Sequence, residues 1–340
     1  MTQSTRTWMG SPYSKLGIFA AVFGLALCIQ MNTSAIVSHT LPDPRWQNAA
    51  AAKAQTASNI VMYATAEGAY HYPSHPTPYL FLCNFSSIGH YRLNRQRVQT
   101  AHRLFYFLNK GDDLEICFPR KEITETLLVL FDDQLVREAA YASSHTCAHL
   151  LEYPDAEASF NFEAPSVPFL SDSVLAATLD RFRYGRRQRC FNAPSRSFDA
   201  PSFVRELLGG LLRTCRAATS GMDRIKSKKS ATRAELFKRL TIARSFMEDN
   251  ALCPVTIDQI AKEACLNRFY FIELFRTVYG DTPHQYLRRI QLENAYSLLK
   301  TGHYSVGSVC HMVGFQSLGS FSNLFKKQYG FLPSSLGKML

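Results

Sequence analysis

Four cationic side chains near the C-terminus have the clearest binding chemistry in this sequence of 340 residues. Arg268, Arg276, Lys326 and Lys327 lie in two stretches whose apolar residues recur with helical spacing. Cationic side chains on such helices suit contacts with nucleic-acid phosphates, which position a protein without reading base sequence. These four residues are therefore candidates for contact with phosphate.

A group of histidines and a cysteine in the middle of the chain has the donor atoms for a metal. His145, Cys147 and His149 would share one face of an extended segment, a spacing that zinc or another soft metal can use. His71 and His75 lie four residues apart in a proline-rich stretch that favours a loop. No fourth ligand is evident, and histidines in loops are more often simple polar residues. The sequence therefore predicts no metal and no cofactor.

The sequence also lacks the patterns of a catalytic site. It contains no paired carboxylates or triad spacing, and none of its nine cysteines lies in a Pro-Cys-His setting. The cysteines are scattered without a Cys-x-x-Cys, and Cys265 and Cys310 fall on helix faces predicted to be buried. This usage is typical of a reducing cytoplasm, so we expect a cytoplasmic protein that is not an enzyme.

The cationic stretches belong to an internal repeat with a period of about 50 residues. The first copy spans residues 256–280 and the second spans 305–330. Apolar residues at matching positions are expected to form the core of each copy: Phe271, Leu274 and Phe275 in the first, and Phe321, Leu324 and Phe325 in the second, with Phe315 at the second turn.

Each copy predicts a short helix, a tight turn and a second helix. The first copy opens with capping-box spacing at Thr256 and Gln259, which satisfies free amide groups at a helix start. Another capping box at Thr282 and Gln285 opens a connector helix that runs to about Lys300, roughly 25 Å at 1.5 Å per residue. The repeat thus predicts two helix-turn-helix units on one rigid spacer.

These residues resemble the DNA-binding domain of the AraC/XylS family of bacterial transcription regulators. The resemblance covers roughly residues 233–336, and its most specific part is in the second copy, at Gly314-Phe315 and Phe325-Lys326. It implies transcription control through binding of duplex DNA, with a separate N-terminal module for sensing or dimerisation. Two such units can enter successive major-groove faces, which lie about 34 Å apart on one side of DNA.

The resemblance also implies which side chains read bases, in recognition helices predicted at 267–278 and 317–328. The family's base-reading positions hold Asn267, Arg268, Phe269, Ile272 and Glu273 in the first unit, and Gln316, Leu318, Gly319, Ser322 and Asn323 in the second. The amide of Asn323 can form two hydrogen bonds with adenine. Glu273 departs from the family pattern, which often has a basic or amide residue there. Since glutamate repels phosphate, base reading by the first unit is in question.

The charge distribution agrees with this interpretation. The net charge of the chain is +11. From Arg224 onward there are 17 Lys and Arg against 8 Asp and Glu, a net +9, whereas the first 223 residues have 21 against 19, a net +2. A basic domain beside a nearly neutral one is typical of phosphate binding.

The N-terminal half predicts a β-rich sensing or regulatory domain at residues 59–170. Short stretches of aromatic and branched residues predict strands at 79–85, 103–108, 114–118 and 126–131. Several short strands at close spacing favour a small barrel or sandwich. The family resemblance implies a cupin-like barrel here, although the sequence has no diagnostic cupin metal motif.

Helical periodicity returns at residues 171–222 and predicts a hairpin of two helices. Its apolar stripes are Val174, Leu175, Leu179 and Phe182, then Phe203, Val204, Leu207, Leu208, Leu211 and Leu212. The resemblance implies that the hairpin forms a homodimer, and the alternative is that both stripes pack on the barrel. Residues 223–232 predict a basic linker into a DNA-binding domain at 233–340.

Residues 1–58 are an N-terminal extension that does not fit the rest. The apolar run 16–31 resembles a secretory signal peptide and is short for a membrane span. Secretion contradicts DNA binding, so three interpretations stay open: an over-long start with Met31 or Met62 as the true one, a membrane anchor, or a disordered extension.

The expected fold class is therefore α+β: an N-terminal β-barrel, a helical segment, and an all-α C-terminal domain of two helix-turn-helix units joined by a long helix. The expected function is sequence-specific transcription regulation, as an activator or a repressor that responds to a small-molecule effector. Its expected partners are double-stranded DNA, a second copy of the chain and RNA polymerase. The alternatives are a membrane-tethered DNA-binding sensor, or an enzyme domain that the C-terminal domain targets to DNA.

Overall fold

The computed structural model describes most of the chain from residue 59 onward. The described residues are 35–39, 41, 59–85, 89–100, 103–119, 123–152, 160–189, 198–253 and 255–339. The apolar run 16–31 lies outside them. Within the described ranges, no helix combines the length and apolar character that crossing a membrane requires.

Ten strands in the described residues form two sheets. The strands are β1 Ala35–Ser38, β2 Asn59–Glu67, β3 Tyr70–Pro76, β4 Tyr79–Asn84, β5 Gly89–Leu93, β6 Gln96–Thr100, β7 Leu104–Leu108, β8 Asp113–Phe118, β9 Ile123–Phe131 and β10 Phe169–Leu170. One sheet has the order β1-β2-β9-β4-β7-β10 and the other β3-β8-β5-β6. The four strands predicted from the sequence are β4, β7, β8 and β9.

The strands form two packed layers, and the predicted closed barrel is not confirmed. Alternation along β4 sends Leu80 and Leu82 to one face, where they pack with Tyr91 and Ile116 of the four-stranded sheet. Phe81 points to the opposite face of the six-stranded sheet and joins the core shared with the helices. Because β4 is buried on both faces, its sequence is an apolar run and not an alternating one.

Eleven helices in the described residues complete the fold. They are α1 Asp133–Ser144, α2 Cys147–Glu152, α3 Ser173–Arg189, α4 Ala200–Asp223, α5 Ser230–Asp249, α6 Ile257–Glu263, α7 Arg268–Tyr279, α8 Pro283–Lys300, α9 Val306–Met312, α10 Leu318–Tyr329 and α11 Pro333–Met339. The mixed α+β class is confirmed: the N-terminal part is rich in strands and the C-terminal part is helical.

Helices α3 and α4 are the hairpin predicted at residues 171–222, and their apolar stripes are buried within the chain. Leu175 and Phe182 of α3 and Leu207 of α4 belong to the same core as Phe81 of the six-stranded sheet. Val174, expected in the stripe, is 58% exposed instead. The contacts that the described residues make are thus those of the packing alternative, and the dimer stays a prediction.

The core of the six-stranded sheet continues into the first helix-turn-helix unit. At the end of α4, a Cβ on Gly221 would lie 2.8 Å from the ring of Phe237 on α5 and 3.2 Å from Val278 on α7. Arg224, the residue after α4, donates from Nη1 to the carbonyl oxygen of Val278 at 2.9 Å. Helix α4 therefore holds the first unit directly against the N-terminal part.

Candidate nucleic-acid interface

The first helix-turn-helix unit consists of α6 and α7, and its sequence determines both ends of each helix. Thr256 and Gln259 form the predicted capping box at the start of α6. The side chain of Asn267 accepts from the amide of Tyr270 and begins α7. Helix α7 ends at Gly280, whose φ of 84° is the left-handed conformation that glycine adopts without strain.

The second unit, α9 and α10, repeats this construction. Ser317 caps α10 through the amide of Ser320, and Gly330 ends that helix with φ 85°. The turn between α9 and α10 contains Gly314 with φ 80°. Phe315 follows it and is buried, as expected.

The connector α8 packs against the turn of the second unit. Gly314 lies close to α8, since a Cβ there would be 3.1 Å from Nε2 of the buried Gln291. Arg288 donates from Nη1 to Oε1 of Gln291 at 3.1 Å, and its guanidinium lies 4.5 Å from the centre of the Phe315 ring. The connector thus fixes the turn that aims α10. Sequence reasoning did not identify Arg288 or Gln291, although their spacing of three on a predicted helix is a usable signal.

The residues predicted to read bases lie on the solvent side of both units. Phe269 is 83% exposed and Leu318 is 51% exposed, so two large apolar residues of the predicted set face solvent. Six more of these residues are exposed: Asn267, Arg268, Glu273, Gln316, Gly319 and Asn323. Ile272 and Ser322 are half-buried. The carbonyl oxygen of the Asn267 side chain is already used by its cap.

Tyr270 is an exposed aromatic residue on α7 that the sequence prediction did not include. Its side chain is 40% exposed, next to that of Phe269. Its position in the first turn of a predicted recognition helix is the signal that could have identified it.

The predicted phosphate-contacting side chains are exposed, but they differ in their partners. Arg276 follows Phe275, which is buried on α7, and Lys326 and Lys327 follow Phe325, which is buried on α10. Arg268 donates from Nη1 to Oδ2 of Asp258 at 3.0 Å. A phosphate at Arg268 would have to replace this ion pair, which is half exposed and therefore weak.

A buried polar cluster that the sequence did not predict joins α5 to α8. Arg244 donates from Nε to the Tyr286 hydroxyl at 2.6 Å, and that hydroxyl donates to Oε1 of Glu248 at 2.5 Å. Burial raises the pKa of Tyr286, so the hydroxyl keeps the proton that it donates. The cluster fixes α5 relative to α8, behind the first recognition helix.

The predicted metal candidates do not form an extended group. His145 caps the end of α1 and residues 147–152 are helical, so the assumed extended face is wrong. The rings of His145 and His149 stack with centroids 4.5 Å apart. His71 and His75 lie on strand β3 and not in the predicted loop, because the proline-rich stretch pairs with β8.

Comparisons with known proteins find similarity to a helix-turn-helix domain and to transcription regulators. Residues 260–339 match the family model described as "Helix-turn-helix domain". The HTH-type transcriptional regulator AlkR of Acinetobacter baylyi is 34% identical over 76 residues, which are 22% of this chain and 25% of AlkR. The chain spans between 25% and 38% of the length of the first three curated relatives it matches.

Two solved structures are also similar to part of the chain. One is a transcriptional regulator of Chromobacterium violaceum described as containing an AraC-type DNA-binding domain, with 28% identity and a TM-score of 0.29. It covers 30% of this chain and 90% of its own. The other is the DNA-binding domain of AdpA in complex with a target DNA, with 26% identity and a TM-score of 0.29, covering 30% of this chain and 91% of its own.

Proposed function

We propose that this chain, whose residues 260–339 match the model of a helix-turn-helix domain, is an AraC-type regulator that controls transcription by binding duplex DNA. The observation that carries the proposal is the pair of exposed recognition faces. Arg276 on α7 and Lys326 on α10 occupy matching positions, and the opposite side of each helix is core. The connector α8 has 18 residues, about 27 Å of helix, which suits units in successive major-groove faces about 34 Å apart.

We assign base reading mainly to the second unit. Asn323 is exposed on α10 and presents an amide, the group that pairs with adenine through two hydrogen bonds. The matching residue on α7 is Glu273, which repels phosphate and can accept only from a donor such as the cytosine amine. The exposed Phe269 and Leu318 suit apolar contact with thymine methyl groups.

Binding of the full chain to DNA from the neighbourhood of its own gene, at two salt concentrations, tests the proposal. Asn323→Ala is expected to reduce the preference for the specific site by about 1–3 kcal/mol, because it removes a two-bond base contact. Lys326→Ala is expected to weaken binding to all DNA alike and to reduce the salt slope by about 1, because it removes a phosphate contact.

A matched control is Lys110→Ala, which removes one exposed lysine from the turn between β7 and β8, where it pairs with Asp133. Its DNA affinity and salt slope should equal those of the unaltered chain. Salt-insensitive binding, or equal losses for Lys110→Ala and Lys326→Ala, would count against a phosphate-binding face on α10.

The N-terminal part is proposed to hold a small-molecule effector. A cleft of about 640 Å³ lies between the four-stranded sheet and α5, within the size range of ligand pockets. Its wall combines cationic side chains, among them Arg92, Arg97 and Lys238, with apolar ones such as Val98 and Ile242. That lining favours an anionic molecule with an apolar body.

The remaining sequence predictions are kept as part of the proposal. These are a homodimer, contact with RNA polymerase, a cytoplasmic location and a cupin-like fold for the two packed sheets. The curated relatives are described as transcription regulators, which supports the prediction that the chain is not an enzyme.

A further inference from the structure

Three side chains with different metal-binding atoms meet on the four-stranded sheet. Strands β3 and β8 pair with His71 directly opposite Cys117. Glu115 precedes Cys117 by two residues and so lies on the same face. Leu114 and Ile116 alternate with them and are buried between the sheets. The strand register therefore brings an imidazole, a carboxylate and a thiol together on the face away from that core.

The donor atoms are close enough to share one ion. His71 Nε2 lies 2.9 Å from Glu115 Oε1, and Cys117 Sγ lies 3.5 Å from the same oxygen. All three donor atoms are within 4.8 Å of one another. Around a tetrahedral ion with bonds of about 2.0–2.3 Å, ligand atoms stand roughly 3.3–3.7 Å apart. Side-chain movements of about 1 Å would therefore produce zinc geometry.

Arg92 on the neighbouring strand β5 orients the carboxylate. Its Nη1 donates to Glu115 Oε2 at 3.0 Å and more weakly to Oε1 at 3.4 Å. Oε2 is thus occupied by the guanidinium, and Oε1 faces His71 and Cys117. Hydrogen bonds to the second oxygen of a ligating carboxylate are typical of metal sites. The ion pair between Arg92 and Glu115 does not require a thiol or an imidazole beside Oε1. The positions of Cys117 and His71 are therefore a separate indication of a metal site.

We propose that His71, Glu115 and Cys117 bind a divalent cation of the zinc class, with the fourth position left to water or another ligand. A nitrogen, oxygen and sulfur set favours zinc and similar transition metals over magnesium and calcium, which take oxygen ligands. A thiolate, a carboxylate and a neutral imidazole balance the two positive charges. His71 is 61% exposed, which gives the ion a path from solvent.

Metal titration of the full chain tests the proposal, with Co²⁺ as the spectroscopic substitute for Zn²⁺. The expected result is saturable binding with a thiolate-to-cobalt charge-transfer band that disappears in Cys117→Ser. His71→Gln should weaken Zn²⁺ binding at least tenfold, and Arg92→Leu, which leaves the three ligands in place and removes the contact that orients Glu115, about 10- to 100-fold. His75→Gln is the control, because His75 lies on the same strand with its Nδ1 facing the carbonyl oxygen of Pro73.

Three results would overturn the site. They are the absence of saturable binding, a charge-transfer band that survives Cys117→Ser, and equal losses of affinity in His71→Gln and His75→Gln. A surviving band would show that other cysteines hold the ion. Circular dichroism of each variant checks folding, and if Cys117→Ser does not fold, the comparison of His71→Gln with His75→Gln decides.

Discussion

Glu248 on α5 links the N-terminal sheets to the first helix-turn-helix unit. Its Oε2 accepts from Arg103 Nη1, beside β7, at 2.7 Å, while Oε1 accepts from the Tyr286 hydroxyl. The Arg244 guanidinium lies 3.5 Å from Oε1. The Glu248 side chain is only 7% exposed. In the cluster as described, its carboxylate is the one anion between the guanidinium groups of Arg103 and Arg244.

The substitution Glu248→Gln is expected to destabilise the chain strongly. It keeps the shape of the side chain but leaves the guanidinium of Arg244, which is only 27% exposed, without its anionic partner. Loss of one member of a buried ionic cluster costs about 3–5 kcal/mol. We expect the lower end, about 3 kcal/mol, since glutamine still accepts a hydrogen bond. Arg103→Ala removes a partner that is 42% exposed and should cost no more than about 1 kcal/mol.

Urea unfolding followed by circular dichroism measures both costs as shifts of the midpoint at unchanged slope. The control is Glu235→Gln on the same helix. Glu235 also pairs with an arginine four residues away, Arg239 at 2.9 Å, but it is 50% exposed. Its loss should cost less than about 0.5 kcal/mol. Equal losses of stability in Glu248→Gln and Glu235→Gln would refute the claim that burial makes Glu248 more important than Glu235. A loss in Arg103→Ala as large as that in Glu248→Gln would refute the claim that Arg103 contributes little to the cluster.

Two further predictions concern backbone conformation and thiol reactivity. Gly330→Ala should lower the free energy of unfolding by about 1 kcal/mol, because φ is 85° at that position. Gly307→Ala should raise it by about 0.5–1 kcal/mol, because Gly307 lies in α9 and a Cβ there would have only Ser305 Oγ nearby, at 3.9 Å. Urea midpoints that move in the same direction would contradict this contrast. Burial raises the pKa of Cys215 to about 12, so in native chain treated with iodoacetamide at mildly alkaline pH the exposed Cys253 and Cys265 should be labelled before Cys215. Peptide mapping that finds Cys215 labelled as fast as Cys253 would disprove it.

The parts of the fold that depend on local sequence could be predicted. The capping boxes at Thr256 and Thr282 and the left-handed Gly280 are fixed by neighbouring residues, and all three are confirmed. Strand order could not be predicted, because β9 lies between β2 and β4 through contacts distant in the chain. The sequence patterns placed residues 133–152 in the β-rich domain and predicted no helix there, whereas they form α1 and α2. Asp132, which caps α1 through the Leu135 amide, was the overlooked signal.

The sequence predicted where the candidate interface lies, but it did not predict correctly which of the surrounding residues are buried. Phe271, Phe275, Phe321 and Phe325 are fully buried, as the repeat predicted. Cys265 was expected to be buried and is exposed, because α6 ends before it and its φ of 51° turns the chain towards α7. An apolar stripe cannot indicate where its helix stops.

Leu324 shows a different failure of the repeat. It was expected in the core like its counterpart Leu274, but it is 38% exposed whereas Leu274 is 6% exposed. Leu274 belongs to the core that also contains sheet residues, and the second unit has a separate core. Identical positions in a repeat therefore differ in burial when only one copy has a neighbouring layer to pack against.

The boundary between these two cores falls inside the connector helix α8. Ile290 belongs to the core that includes Phe105 of the six-stranded sheet, whereas Leu292, two residues further on, belongs to the core of the second unit. Opening the second unit therefore exposes only its own apolar side chains. Opening the first unit also disrupts packing that the sheets and α4 share. The two units match in sequence, yet among the described residues the core that includes the sheets extends to the first unit and not to the second.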